Sequence, residues 1–315
     1  MVDISNVVDS TINRIYKSYE DNENPRFGVR LGASQIGSEC SRMLWLSFRW
    51  TVPSKFEMPP NSKKTSGQML KLFERGQEEE NRFIRDLERI GIEVRSFSDD
   101  GKQIRTDLLG GHFGGNVDGV GRGFLEAPKA WHVVEYKTHD DKSFQHLKKH
   151  GVKKSKPTHY AQMQTYMLGL GLNRAFYFAV NKNDDELYQE RIEFDEIYAN
   201  TLLRKAENIV FSMSPVQGIS DRPDYYMCKM CRYVKVCFKK VKPIRNCRTC
   251  AHSTPLKNGE WKCEKFNKSI TKEMQEVGCT EHRFIPSLIG EPVDLINDTD
   301  VLYEDGYIDK GQDDV

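Results

Sequence analysis

The chain has no run of eighteen or more apolar residues, which excludes a conventional membrane-spanning helix. Its first twenty residues also lack the basic start and apolar block of a secretory signal. No internal repeat or long low-complexity tract is present. Apolar residues make up 38% and charged residues 30% of the chain, which indicates a soluble globular protein of one large domain with a small addition, or two modest domains.

Net charge is almost absent, at +1, so the sequence has no global basic surface. The charge is unevenly distributed, because residues 291–315 are acidic with Lys310 as their single basic residue. Lysines are concentrated in residues 142–156, at Lys142, Lys148, Lys149, Lys153, Lys154 and Lys156. Such a cluster is commonly only a solvated face, but it also suits a surface that binds a phosphate backbone.

Eight cysteines without a secretion signal indicate metal binding rather than disulfides. Three of them lie within ten residues, and a fourth lies far upstream: Cys228, Cys231, Cys237 and Cys40. Four thiolates can hold a [4Fe–4S] cluster or Zn²⁺. The other four fit a structural Zn²⁺ site, with His252 or His282 as alternative ligands and a second cluster as a minor alternative: Cys247, Cys250, Cys263 and Cys279.

The order of the secondary-structure patterns predicts an α/β fold with a mixed β-sheet flanked by helices. Helical periodicity appears in residues 1–24, 38–50, 65–91, 157–170 and 195–212. Strand-like runs occupy residues 92–97, 102–108, 112–121, 131–138, 174–180 and 187–194. The cysteine-rich region follows with little apolar content.

The strand pattern in residues 131–138 carries the main functional signal. Successive side chains of a strand alternate between its faces, so Glu135 and Lys137 project to the same side. A turn sequence upstream, Gly115-x-x-Asp118, supplies a second acid. Two carboxylates and a lysine can hold Mg²⁺ beside a phosphate and orient a water molecule. Alone, the same residues are more often a surface ion pair and an ordinary turn.

Two helices add further candidates. Glu80 lies on the long helix, next to the competing acids Glu78 and Glu79. Gln162 and Tyr166 lie four residues apart and therefore share one face of a later helix. A Gln-x-x-x-Tyr pattern alone is usually an ordinary helix face, so its meaning depends on the other elements.

Together and in this order, the elements resemble the PD-(D/E)XK nuclease superfamily, specifically its RecB-like branch of lambda-type phage exonucleases and CRISPR-associated RecB-type nucleases. The matching residues are Arg75-Gly76 with Glu80, then Asp118, then Glu135 and Lys137, then Gln162 and Tyr166. Val117 replaces the proline of the superfamily's name. The resemblance covers about residues 30–240.

The resemblance implies a restriction-endonuclease-like core and a role for each matching residue. Asp118 and Glu135 would hold Mg²⁺ or Mn²⁺, and the Tyr136 carbonyl and Glu80 would complete the site. Lys137 would orient the attacking water. Gln162 and Tyr166 would brace Lys137 or contact the DNA backbone. In cluster-bearing members of the branch the cysteine pattern matches an iron–sulfur clamp, here on Cys40, Cys228, Cys231 and Cys237, with Zn²⁺ on the same ligands as the alternative.

We therefore expect an N-terminal helix over residues 1–24, a nuclease core with its clamp over 25–240, and a small cysteine-rich, zinc-binding module over 241–290. Residues 291–315 are expected to form a disordered acidic tail, a solvating segment or a docking site for a single-strand-binding or annealing protein.

The expected function is metal-dependent exonucleolytic cleavage of DNA ends, in phage recombination, replication or end processing. A CRISPR adaptation nuclease is the nearest alternative, and an inactive nuclease-like DNA-binding or assembly protein is an alternative of another class. DNA would contact lysines of the cluster: Lys148, Lys149, Lys153 and Lys154. The expected location is the cytoplasm, of the host cell if the protein is encoded by a phage.

Overall fold

The computed structural model describes residues 10–57, 64–296 and 300–310. Its helices are α1 (Thr11–Asp21), α2 (Ser41–Phe48), α3 (Ser66–Arg89), α4 (Asp141–Ser155), α5 (Pro157–Leu170), α6 (Glu196–Phe211), α7 (Tyr226–Lys229), α8 (Val234–Cys237), α9 (Lys272–Val277) and α10 (Pro286–Ile289). None of the helices in these ranges is long and apolar enough to cross a membrane.

Within the described ranges the strands form four sheets, the largest of which carries the candidate site. They are β1 (Leu31–Gly32), β2 (Glu93–Arg95), β3 (Arg105–Leu108), β4 (Phe113–Asn116), β5 (Gly119–Arg122), β6 (His132–His139), β7 (Arg174–Asn181), β8 (Leu187–Glu193), β9 (Ser253–Pro255), β10 (Trp261–Cys263), β11 (Lys268–Ser269), β12 (Pro292–Leu295), β13 (Val301–Tyr303) and β14 (Ile308–Asp309).

The main sheet has the strand order β2-β5-β6-β7-β8. Strands β6 and β7 are parallel, whereas the other pairs are antiparallel, so the sheet is mixed. The parallel pair needs a crossover, which α4 and α5 provide. This arrangement confirms the predicted mixed α/β fold with flanking helices.

Both faces of the sheet are covered because the central strands alternate their apolar side chains. Val133 packs with Phe144 of α4 and Met163 of α5 on one face. Val134 packs with Phe83 of α3 on the other face. Strands β6 and β7 are therefore buried on both sides, and polar groups on them lie inside the protein.

The structure differs from the sequence-based prediction at α4, where we expected only a lysine-rich surface. Phe144, Leu147 and Val152 are the buried residues of this helix, and they pack against the sheet. Three apolar contacts among many lysines, with Gly151 in a non-helical conformation, give a weak periodic signal.

The strand predicted over residues 112–121 is divided into β4 and β5, which belong to different sheets. Strand β4 pairs with β1 and β3. Gly114 allows this pairing, because its φ is +143° and a Cβ there would lie only 2.0 Å from the Thr106 carbonyl oxygen. The extended strand is interrupted at Val117 and Asp118, and β5 begins at the next residue. This interruption gives Asp118 its place in the candidate site.

The cysteine-rich region packs into the rest of the protein through aromatic side chains. Trp261 and Phe284 belong to the same hydrophobic core as Trp45 and Phe48 of α2. Arg248 is 2% exposed and donates hydrogen bonds to the carbonyl oxygens of Phe48, at 3.0 Å, and Val29, at 2.9 Å. Residues 241–290 therefore share a core with the residues around α2, although their apolar content is low.

The prediction of a disordered tail over residues 291–315 is wrong for the part of it that the structure describes. Strands β12, β13 and β14 form an antiparallel meander. Tyr303 and Asp309 are buried, and the Phe284 N–H donates to the Asp309 carboxylate at 3.2 Å. The acidic composition of this segment favoured disorder in the prediction, but its short apolar runs pair with one another as adjacent strands. At the other end, the helix expected from residue 1 begins at Thr11, and residues 1–9 lie outside the described ranges.

Gly110 offers a test of the contact between the segment that joins β3 to β4 and the cysteine-rich region. Its φ is +71°, and a Cβ there would lie 2.3 Å from the Lys257 carbonyl oxygen. Gly101 has a similar φ of +76° but no atom within 4 Å of its Cβ position. Both alanine substitutions carry the left-handed backbone cost of about 1–2 kcal/mol, and only Gly110→Ala adds a clash with backbone.

We therefore expect Gly110→Ala to lower the free energy of unfolding by at least about 1 kcal/mol more than Gly101→Ala does. Urea denaturation followed by tryptophan fluorescence measures both variants. Equal destabilisation by the two substitutions would contradict the close packing of residues 256–260 on the core.

Candidate active site

Three predicted residues converge at the carboxyl half of β6. The Lys137 ammonium donates a hydrogen bond to the Glu135 carboxylate and another to the Tyr136 carbonyl oxygen, at 3.0 Å. The same Nζ lies 3.7 Å from Asp118 Oδ2. Glu135 and Lys137 share a face of the strand, as the alternation predicted.

Asp118 is held in place by two hydrogen bonds, one to its side chain and one to its backbone. The Tyr136 N–H donates to Asp118 Oδ2 at 3.1 Å, and the Ser96 hydroxyl donates to the Asp118 carbonyl oxygen at 2.8 Å. Because the strand is interrupted between β4 and β5, residue 118 is free of sheet pairing and its carboxylate points toward β6. The acid therefore has a defined orientation beside Lys137.

Helix α3 brings Glu80 to the same place. Glu80 and Lys137 line one cleft of about 430 Å³. The two acids that precede Glu80 in the sequence point elsewhere. Glu78 lines a separate cleft between α1 and α3, and the Glu79 carboxylate lies 3.6 Å from the Arg82 guanidinium. Among the three adjacent acids, Glu80 is the one that faces β6.

The carboxylates resist ionisation because they are buried close to one another. Burial raises the pKa of Glu135 to about 8, with Asp118 and Glu80 adding to the rise and Lys137 opposing it. Burial, followed by the Asp118 charge, raises the pKa of Glu80 to about 7. Burial lowers the pKa of Lys137, but the charges of Glu135 and Asp118 outweigh it and the net shift is upward. Lys137 therefore remains an ammonium ion.

The donor set suits a hard divalent cation. Glu135 is fully buried, and its Oε2 has no hydrogen-bond partner within the described part of the chain. A cation would satisfy this oxygen and relieve the repulsion among the carboxylates. In the described ranges, however, no three His, Cys, Asp or Glu side chains are arranged to hold a metal ion together. At this centre the Lys137 ammonium instead occupies the position between Glu135 and Asp118.

Gln162 and Tyr166 lie on one face of α5 and contact each other. Gln162 Nε2 donates to the Tyr166 hydroxyl at 3.2 Å, and that hydroxyl donates to the Asn116 carbonyl oxygen at 2.7 Å. These hydrogen bonds support the end of β4, two residues before Asp118, rather than Lys137.

The two cysteine sets line two separate cavities. Cys40, Cys228, Cys231 and Cys237 line one of about 390 Å³. Cys247, Cys250, Cys263 and Cys279 line one of about 20 Å³, together with His252 and His282. Burial raises the pKa of Cys231 to about 11 and that of Cys247 to about 12, and neighbouring thiols contribute in both sets. Each set thus lines a single cavity, although in the described ranges no three of these side chains are close enough to hold a metal ion together. The raised pKa values keep Cys231 and Cys247 protonated unless a cation is bound.

The lysine cluster on α4 is partly neutralised. Lys148 lies 2.5 Å from Glu186, and Lys153 lies 3.3 Å from Asp195. Lys149 and Lys154 are exposed. This helix therefore presents less free positive charge than its sequence indicates.

A family profile for the PD-(D/E)XK nuclease superfamily matches residues 37–238, more than half of the chain. The chain belongs to the PD-(D/E)XK nuclease superfamily. The match includes α3, the main sheet and α5, and so contains each of the converging residues. Nucleases of this superfamily generally use Mg²⁺ or Mn²⁺.

Three solved structures are similar to this PD-(D/E)XK chain at low identity. The alkaline exonuclease LHK-Exo from Laribacter hongkongensis has 17% identity and a TM-score of 0.39, over 61% of this chain and 90% of that one. LHK-Exo in complex with dAMP has 16% identity and a TM-score of 0.36, over 62% and 89%. The structure of SSO0001 has 13% identity and a TM-score of 0.40, over 74% and 99%. At these TM-scores the matches carry no functional conclusion. No curated protein sequence matches the chain significantly.

Sequence reasoning missed polar residues next to the PD-(D/E)XK motifs. His139 lies two residues after Lys137, on the same face of β6, and His159 lies three residues before Gln162 on α5. Both line the cleft of Glu80 and Lys137, together with Lys156. The strand period of two, continued beyond Lys137, leads to His139. The helix period of three to four, continued backwards from Gln162, leads to His159.

The raised pKa of Glu80 predicts a pH-dependent stability of the metal-free protein. Because its pKa in the folded state is about 7 and its ordinary value is 4.5, the stabilisation that Glu80 contributes is complete below about pH 4.5. It is lost as the pH rises through 7. Glu80→Gln removes this loss, so the variant should gain stability relative to wild type at pH 8 but not at pH 5.

Urea denaturation in EDTA at both pH values measures the effect. Glu78→Gln, which removes an exposed carboxylate from the same helix, is the control and should shift stability equally at both pH values. Parallel pH profiles for Glu80→Gln and wild type would show that Glu80 ionises in the folded protein as it does in water.

Proposed function

We propose that the protein is a metal-dependent deoxyribonuclease that hydrolyses phosphodiester bonds at DNA ends. The observation that carries the proposal is the convergence of Asp118, Glu135 and Lys137 on β6, in a chain of the PD-(D/E)XK superfamily. Glu80 reaches the same centre from α3. These are the residue types that cleavage of a phosphodiester requires.

In this proposal Asp118 and Glu135 hold Mg²⁺ or Mn²⁺, with Glu80 and the Tyr136 carbonyl as further ligands. When bound there, the cation would supply positive charge to the phosphate and lower the pKa of a coordinated water. Lys137 orients the attacking water through its ammonium group. Gln162 and Tyr166 act indirectly, because they support the backbone that precedes Asp118. Hydrolysis forms a bond from the water oxygen to phosphorus and breaks a bond from phosphorus to a sugar oxygen, which leaves with a proton.

An end-processing exonuclease of phage recombination or replication is the preferred setting, and a CRISPR adaptation nuclease is the second candidate. The exposed Lys149 and Lys154 are the best candidates on α4 for DNA contact, since Lys148 and Lys153 already face carboxylates. An inactive DNA-binding protein is disfavoured because the acids and the lysine are all present and close together.

We expect Asp118→Asn, Glu135→Gln and Lys137→Met each to lower the rate of DNA cleavage by at least about 100-fold. The first two would remove ligands of the divalent cation, and the third would remove the ammonium that orients the water. A cleavage assay measures the rate and the strand polarity together. It uses duplex and single-stranded DNA, each labelled at the 5′ or the 3′ end and incubated with Mg²⁺ or Mn²⁺. Glu78→Gln is the matched control and should cleave like wild type. If wild type and the three variants leave all four substrates equally intact, the proposed function is wrong.

The cysteine sets are proposed to hold a [4Fe–4S] cluster and Zn²⁺. Soft thiolates fit either metal centre, and the larger cavity has room for a cluster whereas the smaller one fits a single ion. The cluster would join Cys40, before the sheet, to Cys228, Cys231 and Cys237 after it. Its role would be to close the fold rather than to take part in hydrolysis.

Protein purified without oxygen should be brown, with broad absorption near roughly 400 nm, and should contain about four irons and about one zinc per chain. Cys231→Ser should remove the iron and leave the zinc, whereas Cys250→Ser should do the reverse. Elemental analysis measures both metals. Colourless protein with about two zinc ions per chain would contradict the cluster.

The acidic C-terminal residues remain a candidate docking site for a single-strand-binding or annealing protein. Of the three strands in this segment, β12 is exposed throughout, whereas Tyr303 of β13 and Asp309 of β14 are buried. A partner would therefore meet the β12 face of the meander.

A further inference from the structure

A chain of hydrogen bonds runs through the wall of the cleft beside Lys137. Lys156 Nζ donates to the Ser143 hydroxyl at 2.5 Å, and that oxygen lies 3.3 Å from His139 Nδ1. His139 Nε2 lies 2.8 Å from the Tyr177 hydroxyl, which lies 2.9 Å from His159 Nδ1. The sequence motifs predicted none of these contacts.

The chain of hydrogen bonds brings residues of four elements together. Strand β6 carries His139 and the parallel strand β7 carries Tyr177. Lys156 precedes Pro157, the first residue of α5, and His159 lies in the first turn of that helix. This hydrogen-bonded series from Lys156 to His159, called the relay below, therefore exists only when the crossover helices α4 and α5 are packed on the sheet.

The end of the relay at Lys156 sets its direction. An ammonium group can only donate, so Ser143 Oγ accepts from it and directs its own proton to His139 Nδ1. His139 then carries its proton on Nε2 and donates to Tyr177, whose hydroxyl donates to His159 Nδ1. This assignment leaves the His159 proton on Nε2.

Both imidazoles are neutral at physiological pH. Burial lowers the pKa of His159 to about 3, and the charge of Lys137 adds to the effect. Burial lowers the pKa of His139 to about 4, and the charge of Lys156 adds to the effect. His159 thus offers the cleft an uncharged N–H donor, since its Nε2 has no partner among the described residues.

Lys156 is a half-buried cation that has no carboxylate within salt-bridge distance in the described part of the chain. Its ammonium donates to Ser143, and the Asp140 carboxylate acts on it from farther away. Burial lowers the pKa of Lys156, and the Asp140 charge opposes this shift only in part. An anion in the cleft would compensate the ammonium charge. Because the same cleft contains Lys137 and Glu80, such an anion would lie beside the proposed reaction centre.

We propose that Lys156 and His159 Nε2–H together bind a phosphate of the DNA strand next to the phosphate that is cleaved. His139 and Tyr177 act as positioning residues that hold the His159 tautomer. The inference rests on the proposed nuclease function, since it assigns a substrate contact to residues outside the Asp118–Glu135–Lys137 centre. A backbone phosphate fits because it offers several acceptor oxygens to two donors from different elements.

DNA binding without cleavage provides the test. Fluorescein-labelled single-stranded DNA is titrated with the Asp118→Asn protein in EDTA and, in parallel, in Ca²⁺, at several salt concentrations. Adding Lys156→Gln should weaken binding and reduce the slope of log K against log salt by about 0.7, the contribution of one phosphate contact. Lys129→Gln, at an exposed position before β6, is the control and should leave the slope unchanged.

Because His159 Nε2–H is an uncharged donor, substitutions of His159 should change the affinity for DNA without the change in salt dependence expected for Lys156→Gln. His159→Asn keeps an amide near the position of Nδ1 but loses the donor at Nε2, so affinity should fall about tenfold with no change in the salt slope. His159→Gln places an amide N–H near the position of Nε2 and should restore most of the affinity. Tyr177→Phe should weaken binding less, and nitrogen NMR of the imidazoles should show His159 losing its single tautomer.

The results separate the inference from the proposed function. An unchanged salt slope in Lys156→Gln, equal affinities of the Asn and Gln variants, or no binding in either buffer would overturn the subsite. A reduced slope in a protein that cleaves no DNA would retain the subsite and overturn the nuclease proposal. Lower melting temperatures with unchanged binding would show that the relay only stabilises the fold.

Discussion

The buried contact between Glu135 and Lys137 is the constraint on which the candidate site depends. Removing a carboxylate and an ammonium from water is costly unless each compensates the other. Strand β6 meets this requirement by placing both groups on one face, while β5 and β7 exclude water from its edges. The Asp118 carboxylate and the Tyr136 carbonyl then supply further contacts to the same ammonium. A site of this kind requires a complete sheet, because a partly formed one would leave Glu135 without compensation.

The polar groups around the cleft fall into two sets of different charge. Glu80, Asp118 and Glu135 form an acidic set around Lys137, and Lys156 with the two neutral histidines forms the other set. The acidic set fits a divalent cation and the basic set fits a phosphate. Burial is the main cause of the lowered pKa values of both histidines in the second set, and the charge of Lys137, which touches the first set, adds to it. The two sets are therefore electrostatically coupled although they come from different elements.

The sequence predicted the parts of this arrangement that depend on local periodicity. The alternation of β6 placed Glu135 with Lys137, and the spacing on α5 placed Gln162 with Tyr166. Helix α4 escaped detection because few of its residues are apolar. Arg248 could not be placed at all, since its partners, the carbonyls of Val29 and Phe48, are about two hundred residues away and leave no mark on composition. His139 and His159 lie outside the recognised motifs, although the strand and helix periods place them on the same faces as Lys137 and Gln162.

The packing of Arg248 against the segment around α2 joins late residues to early ones. During synthesis the ribosome releases the chain from its N-terminal end, so α2 emerges long before the aromatic residues that complete its core. Until then the part of this core that Trp261 and Phe284 cover stays open to solvent, although α6 already packs against α2. The core around α2 can therefore be completed only after residues 248–284 have been synthesised.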